Sequence, residues 1–140
     1  MTELELSIPP LPRYAATARL ALARFGSTHR VAQTDVENLV FAVGEAVANA
    51  IAHARTAKAI HLRFCLNGTK IVATITDDGR GFQSPSRDEI EVPNVFAEEG
   101  RGFAIMQRCT DFLHVDSRPG GGTIVTLGRR LSSQEPQAVS

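Results

Sequence analysis

Charge imbalance is missing from this chain. Fifteen Lys and Arg face fifteen Asp and Glu across 140 residues. Surfaces built to grip nucleic acid or an anionic membrane carry an excess of positive charge. Zero formal net charge therefore argues against both. Cysteine is scarce, with only Cys65 and Cys109, and neither lies in a CxxC or His-rich spacing. Both are expected to be core thiols rather than metal ligands or a disulfide. No stretch approaches the roughly 18 apolar residues that would cross a bilayer. No basic-plus-apolar signal opens the chain, and no internal repeat is visible. The expectation is a cytoplasmic protein without direct contact to nucleic acid or membrane. The length suits one domain with a sizeable core, expected over residues 1–130 and followed by a polar, disordered tail at 131–140.

What is present reads as alternating strands and helices. ELELSIP, residues 3–9, alternates apolar Leu4, Leu6 and Ile8 with polar neighbours and reads as a strand stopped by Pro9 and Pro10. Residues 13–25 are Ala-rich with helical apolar spacing, and Gly26 is the expected stop. Thr34 or Asp35 is expected to cap the next helix, which runs to about Ala54. AIHLRFCLNG and KIVATITDDG read as a hairpin turning at Asn67-Gly68. Residues 83–98 hold two prolines, many charges and no period, and are expected to form a functional lid. GFAIMQRCTDF reads as a helix, and LHVDSRPGGGTIVTLGRRL as strand, Gly-rich turn, strand. The order β-α-α-β-β-loop-α-β-β predicts an α+β fold. This is a two-layer α/β sandwich with a mixed, mainly antiparallel sheet covered on one face by helices.

The richest segment is ENLVFAVGEAVANAIAHA, residues 37–54. Glu45, Asn49 and His53 stand at i, i+4, i+8, so a helix stacks them along one stripe among apolar neighbours. Polar groups in such company must bond to something. A carboxylate, a carboxamide and an imidazole in a row can orient a nucleophile, hold a hydrated cation or brace the helix. Further on, Asp77-Asp78-Gly79-Arg80-Gly81 ends a strand. Its glycines permit close approaches that a Cβ would block, and an aspartate there can accept a bond from an exocyclic amine. An ordinary Asp-Gly turn is the plain alternative. Gly100-Arg101-Gly102 opens a helix, whose free N–H groups and positive dipole end suit an anion. A hinge for the lid would use the same glycines. No GK[ST] follows, so this is not a Walker A loop. Gly120-Gly121-Gly122-Thr123 precedes the final strand, where a hairpin turn alone would also explain it.

Together, in this order and spacing, these motifs resemble the GHKL, or histidine-kinase-like, ATPase superfamily over about residues 3–130. Glu45-x-x-x-Asn49 resembles the N box and Asp77-x-Gly79-x-Gly81 the G1 box. Gly100-x-Gly102 resembles the G2 box, and Gly122-Thr123 the last nucleotide-contacting box. Within that superfamily the chain is most similar to the anti-sigma-factor serine/threonine kinases of the RsbW and SpoIIAB type. The domain is expected to stand alone, without phosphoacceptor helices or a sensor module. EAVANAIAHA follows that family's E-A-x-x-N-A-x-x-H pattern, and GRGFAIMQRCTDFLHVDSRPGGGTIVTL resembles the family's ending.

The resemblance implies ATP or ADP with Mg²⁺ as ligands, the metal at Asn49. It implies Asp77 on the adenine amino group, Gly79 and Gly81 beside the base, and Gly100 and Gly102 along the phosphates. Thr123 would sit near adenine, and Arg101 would contact phosphate or cover the lid from outside. Glu45 is implied as general base on the attacking hydroxyl, and His53 is expected to be structural. Arg19, on the first helix, falls where the family's partner-binding arginine occurs. The implied partners are a sigma factor, held inactive, and a STAS-domain anti-anti-sigma protein, phosphorylated on serine or threonine. A homodimer is also implied. Two other functions remain open at this point: a nucleotide-binding sequestration module without kinase activity, and a detached histidine-kinase catalytic domain.

Overall fold

The structure, a computed structural model, describes residues 2–54, 58–78, 101–118 and 121–132. Its elements in chain order are β1 (Thr2–Ile8), a 3-10 turn at Pro12–Tyr14, α1 (Ala15–Thr28) and α2 (Gln33–Ala54). They continue with β2 (Ile60–Leu66), β3 (Lys70–Asp77), α3 (Arg101–Cys109), β4 (Phe112–Arg118) and β5 (Gly122–Arg130). The strands form one sheet in the order β1-β2-β3-β5-β4. The expected two-layer α+β sandwich is what forms. The sheet, expected as mixed and mainly antiparallel, is antiparallel at all four described pairings. The connections explain this. α1 and α2 carry the chain back and forth once, so β2 starts where β1 ends, with Ile8 opposite Ile60. α3 and β4 do the same between β3 and β5.

Period-two alternation decides which face of the sheet is covered. Leu62 and Phe64 of β2, Ile71, Ala73 and Ile75 of β3, and Val125 and Leu127 of β5 point into the core. Leu22 and Phe25 of α1, Leu39, Val43 and Val47 of α2, and Met106 of α3 meet them there. Each of the larger of these side chains contributes on the order of 1.5–3 kcal/mol by leaving water. The opposite face is polar: Arg63 of β2 pairs with Glu3 of β1 at 2.7 Å, and Ser7 Oγ lies 2.7 Å from His61 Nδ1. Among the described residues no helix is long and apolar enough to cross a membrane.

Three local expectations are corrected. Gly26 does not stop α1, which continues to Thr28. Its lack of a side chain serves packing instead, since a Cβ there would lie 2.5 Å from Val36 Cγ2. Arg30 takes the left-handed turn after the helix, with φ +60°. Asp35 does not cap α2, which already begins at Gln33. The Asp35 side chain is fully buried and bonded elsewhere: Nε and Nη2 of Arg129 donate to Oδ1 at 3.0 and 2.9 Å, and the Ser132 N–H donates to Oδ2 at 2.9 Å. Nη1 of Arg129 donates to the Cys109 carbonyl at 3.0 Å. One arginine thus ties the start of α2 to the end of α3 and the end of β5. Finally, the β2–β3 turn does not use Asn67-Gly68 as its central pair. Asn67 bonds Lys70 through the backbone, and its Oδ1 accepts from the N–H groups of Thr69 and Lys70 at 2.8 and 2.9 Å. The asparagine side chain, not a left-handed glycine, shapes this turn.

Candidate functional site

One end of the sandwich gathers what the sequence singled out. α2 ends there, since it leads into the start of β2. The start of β2 pairs with the end of β3, His61 opposite Thr76. β5 begins there and β4 ends there, with Ser117 opposite Thr123. The Asp35–Arg129 cluster occupies the other end.

On the helical side of this end, Glu45 and Asn49 face the first turn of α3. A Cβ built on Gly102 would lie 2.8 Å from Glu45 Oε1 and 3.8 Å from Asn49 Nδ2. Glycine lets α3 approach that closely, so the positive dipole end of this helix stands beside a carboxylate and a carboxamide. Asn49 Nδ2 is buried and has no hydrogen-bond partner among the described residues. His53 Nε2, one turn further along α2, is in the same condition.

On the sheet side, Asp77 stands directly opposite Thr123 in the β3–β5 ladder. Both are on the covered face and 7% exposed, as is Ser117. Ser117 Oγ and Thr123 Oγ1 are 3.2 Å apart. The next rungs inward are Ile75, Val125 and Val115, then Ala73, Leu127 and Leu113. A carboxylate and two hydroxyls therefore close an otherwise apolar stack, where they can read the edge of a flat heterocycle. Gly122 begins β5 with φ +87°, and a Cβ there would run into the Asp77 carbonyl oxygen. Only glycine combines that conformation with that approach.

Glu45, Asn49 and Gly102 thus meet on one side, and Asp77 and Thr123 on the other. Of Arg101 only the backbone is described, as the first residue of α3. Gly79, Gly81, Gly100 and the expected lid at 83–98 lie outside the described residues. Arg19 is elsewhere. It lies exposed on α1 with its side chain across α2, and a Cβ on Gly44 would stand 2.9 Å from its Cδ. Beside it runs a groove of about 600 Å³ lined by Val36, Glu37, Val40 and Phe41. Phe41 is 62% exposed.

Sequence reasoning missed Ser117. Its signal was a hydroxyl at an inward position of β4, two residues beyond Val115 in LHVDSR. The Asp35–Arg129 pair had no local signal, because its members are 94 positions apart.

Comparison with known proteins gives a consistent set of matches. Residues 8–128 match the family described as Histidine kinase-like ATPase domain. An anti-sigma F factor of Caldanaerobacter subterraneus subsp. tengcongensis is 30% identical over 91% of this chain and 93% of its own length. One from Thermoanaerobacter sp. is 28% identical over 94% of this chain and 96% of its own. The serine-protein kinase RsbW of Bacillus pumilus is 28% identical over 84% of this chain and 80% of its own. Among solved structures, the RsbU and RsbW domains of a Mycobacterium tuberculosis protein superpose with a TM-score of 0.73 at 22% identity. The match covers 96% of this chain and about a third of that one, 34%, and it shows the shared fold.

Proposed function

Because the chain belongs to the Histidine kinase-like ATPase domain family, we propose that the end of the sandwich described above is an ATP site. The protein is an anti-sigma factor with ATP-dependent serine/threonine-protein kinase activity, in line with relatives named anti-sigma F factor and serine-protein kinase RsbW. It holds a sigma factor inactive and phosphorylates a STAS-domain anti-anti-sigma protein, which then loses its ability to displace the sigma factor. The observation that carries this reading is the contact of Glu45 and Asn49 with Gly102 at the α3 N-terminus. It puts a carboxylate and a helix dipole at the same point, where a transferred phosphoryl group needs both.

The chemistry follows from those residues. The acceptor hydroxyl gives its proton to Glu45 as its oxygen bonds the γ-phosphorus, and ADP leaves with the bridging oxygen. Such a base contributes on the order of 10²–10⁴-fold. The N–H groups of the α3 first turn take up phosphate charge, and Asp77 with Thr123 holds adenine. Gly79, Gly81 and Gly100 join the site on the sequence pattern alone. Asn49 would offer Mg²⁺ its carboxamide oxygen, a hard ligand, while its buried, unpartnered Nδ2 can donate only to an acceptor such as a phosphate oxygen. Among the described residues no cluster of three or more His, Cys, Asp or Glu could hold a metal by itself. Mg²⁺, when bound, offsets the charge of the β- and γ-phosphates.

Residues 1–130 are assigned to this one domain, acting in the cytoplasm where sigma factors work. Arg19 and the groove beside Phe41 are assigned to protein partners, since exposed Arg and aromatic side chains are favoured at binding hot spots. Leu4, Leu11 and Leu20 are exposed on the β1–α1 side and support a homodimer. Incubation with radiolabelled ATP and the STAS protein encoded by a neighbouring gene tests the reading. A stable phosphoserine or phosphothreonine is expected. No label would mean a sequestration module, and acid-labile phosphohistidine a histidine-kinase catalytic domain.

A further inference from the structure

Phe41 is an aromatic ring left in water. At 62% exposure it is the most open of the large apolar side chains among the described residues. A single exposed apolar side chain is ordinary on a protein surface, but the place of this one is not. On α2 it stands three residues before Gly44 and four before Glu45, so the helix brings it one turn from both. Gly44 faces α1, where a Cβ would lie 2.9 Å from Arg19 Cδ. Glu45 faces α3, where its Oε1 would lie 2.8 Å from a Cβ on Gly102. Phe41 occupies the outer ridge of α2 between those two contacts, with exposed Glu37 one turn behind it. On its α1 flank runs the groove of about 600 Å³, with apolar walls at Ala23, Val36 and Val40 and with Arg19 in its lining.

We propose that Phe41 determines specificity for the protein acceptor, by packing against an apolar side chain that flanks the phosphorylated hydroxyl. This rests on the kinase reading above. The accepting hydroxyl must come within hydrogen-bond reach of Glu45 to give up its proton. Side chains at i and i+4 of a helix have their Cβ atoms about 5–6 Å apart. An extended chain advances about 3.3 Å per residue. A segment that offers its hydroxyl to Glu45 therefore passes Phe41 within two or three residues of that hydroxyl. α3 closes the far side of Glu45, whereas the Phe41 side is open. The ring and the groove walls at Val36 and Val40 present carbon to the segment, so the side chain they suit is aliphatic or aromatic. The nucleotide has no need of this ring, because adenine is assigned to Asp77 and Thr123 on the sheet.

The test is steady-state transfer by the full chain with ATP, Mg²⁺ and the STAS protein encoded by a neighbouring gene. Phe41→Ala is expected to raise the KM for that acceptor about tenfold, the scale of one lost aromatic anchor. The kcat at saturating acceptor and the KM for ATP should stay within about twofold of wild type, because the ring meets neither the nucleotide nor the base. Phe41→Leu keeps apolar bulk at the same point and should hold the acceptor KM within about threefold of wild type. Melting temperatures of both variants should match wild type, since the ring lies outside the core. Alanine at the apolar acceptor residue nearest the labelled hydroxyl should cost far less against Phe41→Ala than against wild type. An unchanged acceptor KM in Phe41→Ala, a fall in kcat with KM held, or fully additive losses in the paired variants would each overturn the proposal and leave the kinase reading intact. No transfer by the wild type would overturn both.

Discussion

Gly102 and Glu45 share one van der Waals envelope: a methyl group on the glycine would lie 2.8 Å from the carboxylate oxygen Oε1. The atom it would meet is the tip of a flexible side chain, so Glu45 can swing away at small cost. A change at Gly102 is therefore predicted to disturb chemistry more than folding.

Gly102→Ala should leave stability within about 1 kcal/mol of wild type, since alanine also favours the helix by up to that amount. Phosphotransfer should fall by roughly tenfold or more, because the base is displaced. Glu45→Gln should remove transfer on the scale of 10²-fold or more while ADP binding stays near wild type. Single-turnover transfer and ADP calorimetry on both variants check this. Near-wild-type transfer by Glu45→Gln would exclude it as the base.

Ser117 is predicted to hold Thr123 in position for the adenine edge, through the 3.2 Å contact of their hydroxyls. Ser117→Ala should weaken ATP binding by about 1 kcal/mol, the worth of one hydrogen bond, and narrow the preference for ATP over GTP. Ser117→Thr should restore both. An unchanged ATP-to-GTP ratio in the alanine variant would reduce Ser117 to a packing residue.

Asp35 makes stability depend on acid. Burial alone would raise its pKa. The Ser132 N–H and the Arg129 guanidinium outweigh that and hold it below the usual carboxylate value. A lowered folded-state pKa contributes stability that is fully present above the unfolded value, about 3.9, and is lost as pH falls through the folded one. Asp35→Asn should therefore destabilise the protein by roughly 3 kcal/mol at pH 7, the scale of a broken buried pair. The gap to wild type should close below about pH 4. Urea unfolding at several pH values measures it, and a gap that stays constant down to pH 3 would contradict the assignment.

Arg19 is predicted to act on partners and not on nucleotide. Its side chain lies over Gly44 and lines the groove at Phe41. Arg19→Ala should cost about 2 kcal/mol in binding to the sigma factor or the STAS protein, with ADP affinity unchanged. Pull-down titrations and ADP calorimetry separate the two effects. Undiminished binding to both proteins would leave Arg19 as a solvated helix residue.

Much of this arrangement was readable in advance, for a physical reason. Helices and strands announce themselves through periodicity, so local spacing alone placed Glu45 and Asn49 on one stripe of α2 and Asp77 at the end of β3. Asp35 was misread as a cap because helix starts favour aspartate, whereas its partner Arg129 comes from the far end of the chain. Gly26 was misread as a stop for the same kind of reason: its demand for space comes from Val36 on the next helix. Ser117 was invisible until β4 took its place beside β5, when its hydroxyl met that of Thr123. Local rules found local devices, and pairings across the fold had to be seen in three dimensions.

The rung of Asp77, Thr123 and Ser117 also has a consequence for when the protein can become active. β5 is the last of the five described strands to be synthesised, yet it is inserted between β3 and β4. Side chains alternate faces, so a slip of one residue would turn Thr123 outward and bring Ile124 in. On a ribosome, a chain that has completed β1 to β4 still lacks Thr123, the middle member of that rung. Nucleotide capture at the proposed site would therefore wait until β5 has emerged and paired in register. ATP, by binding only that arrangement, would then favour correctly threaded chains over slipped ones by mass action.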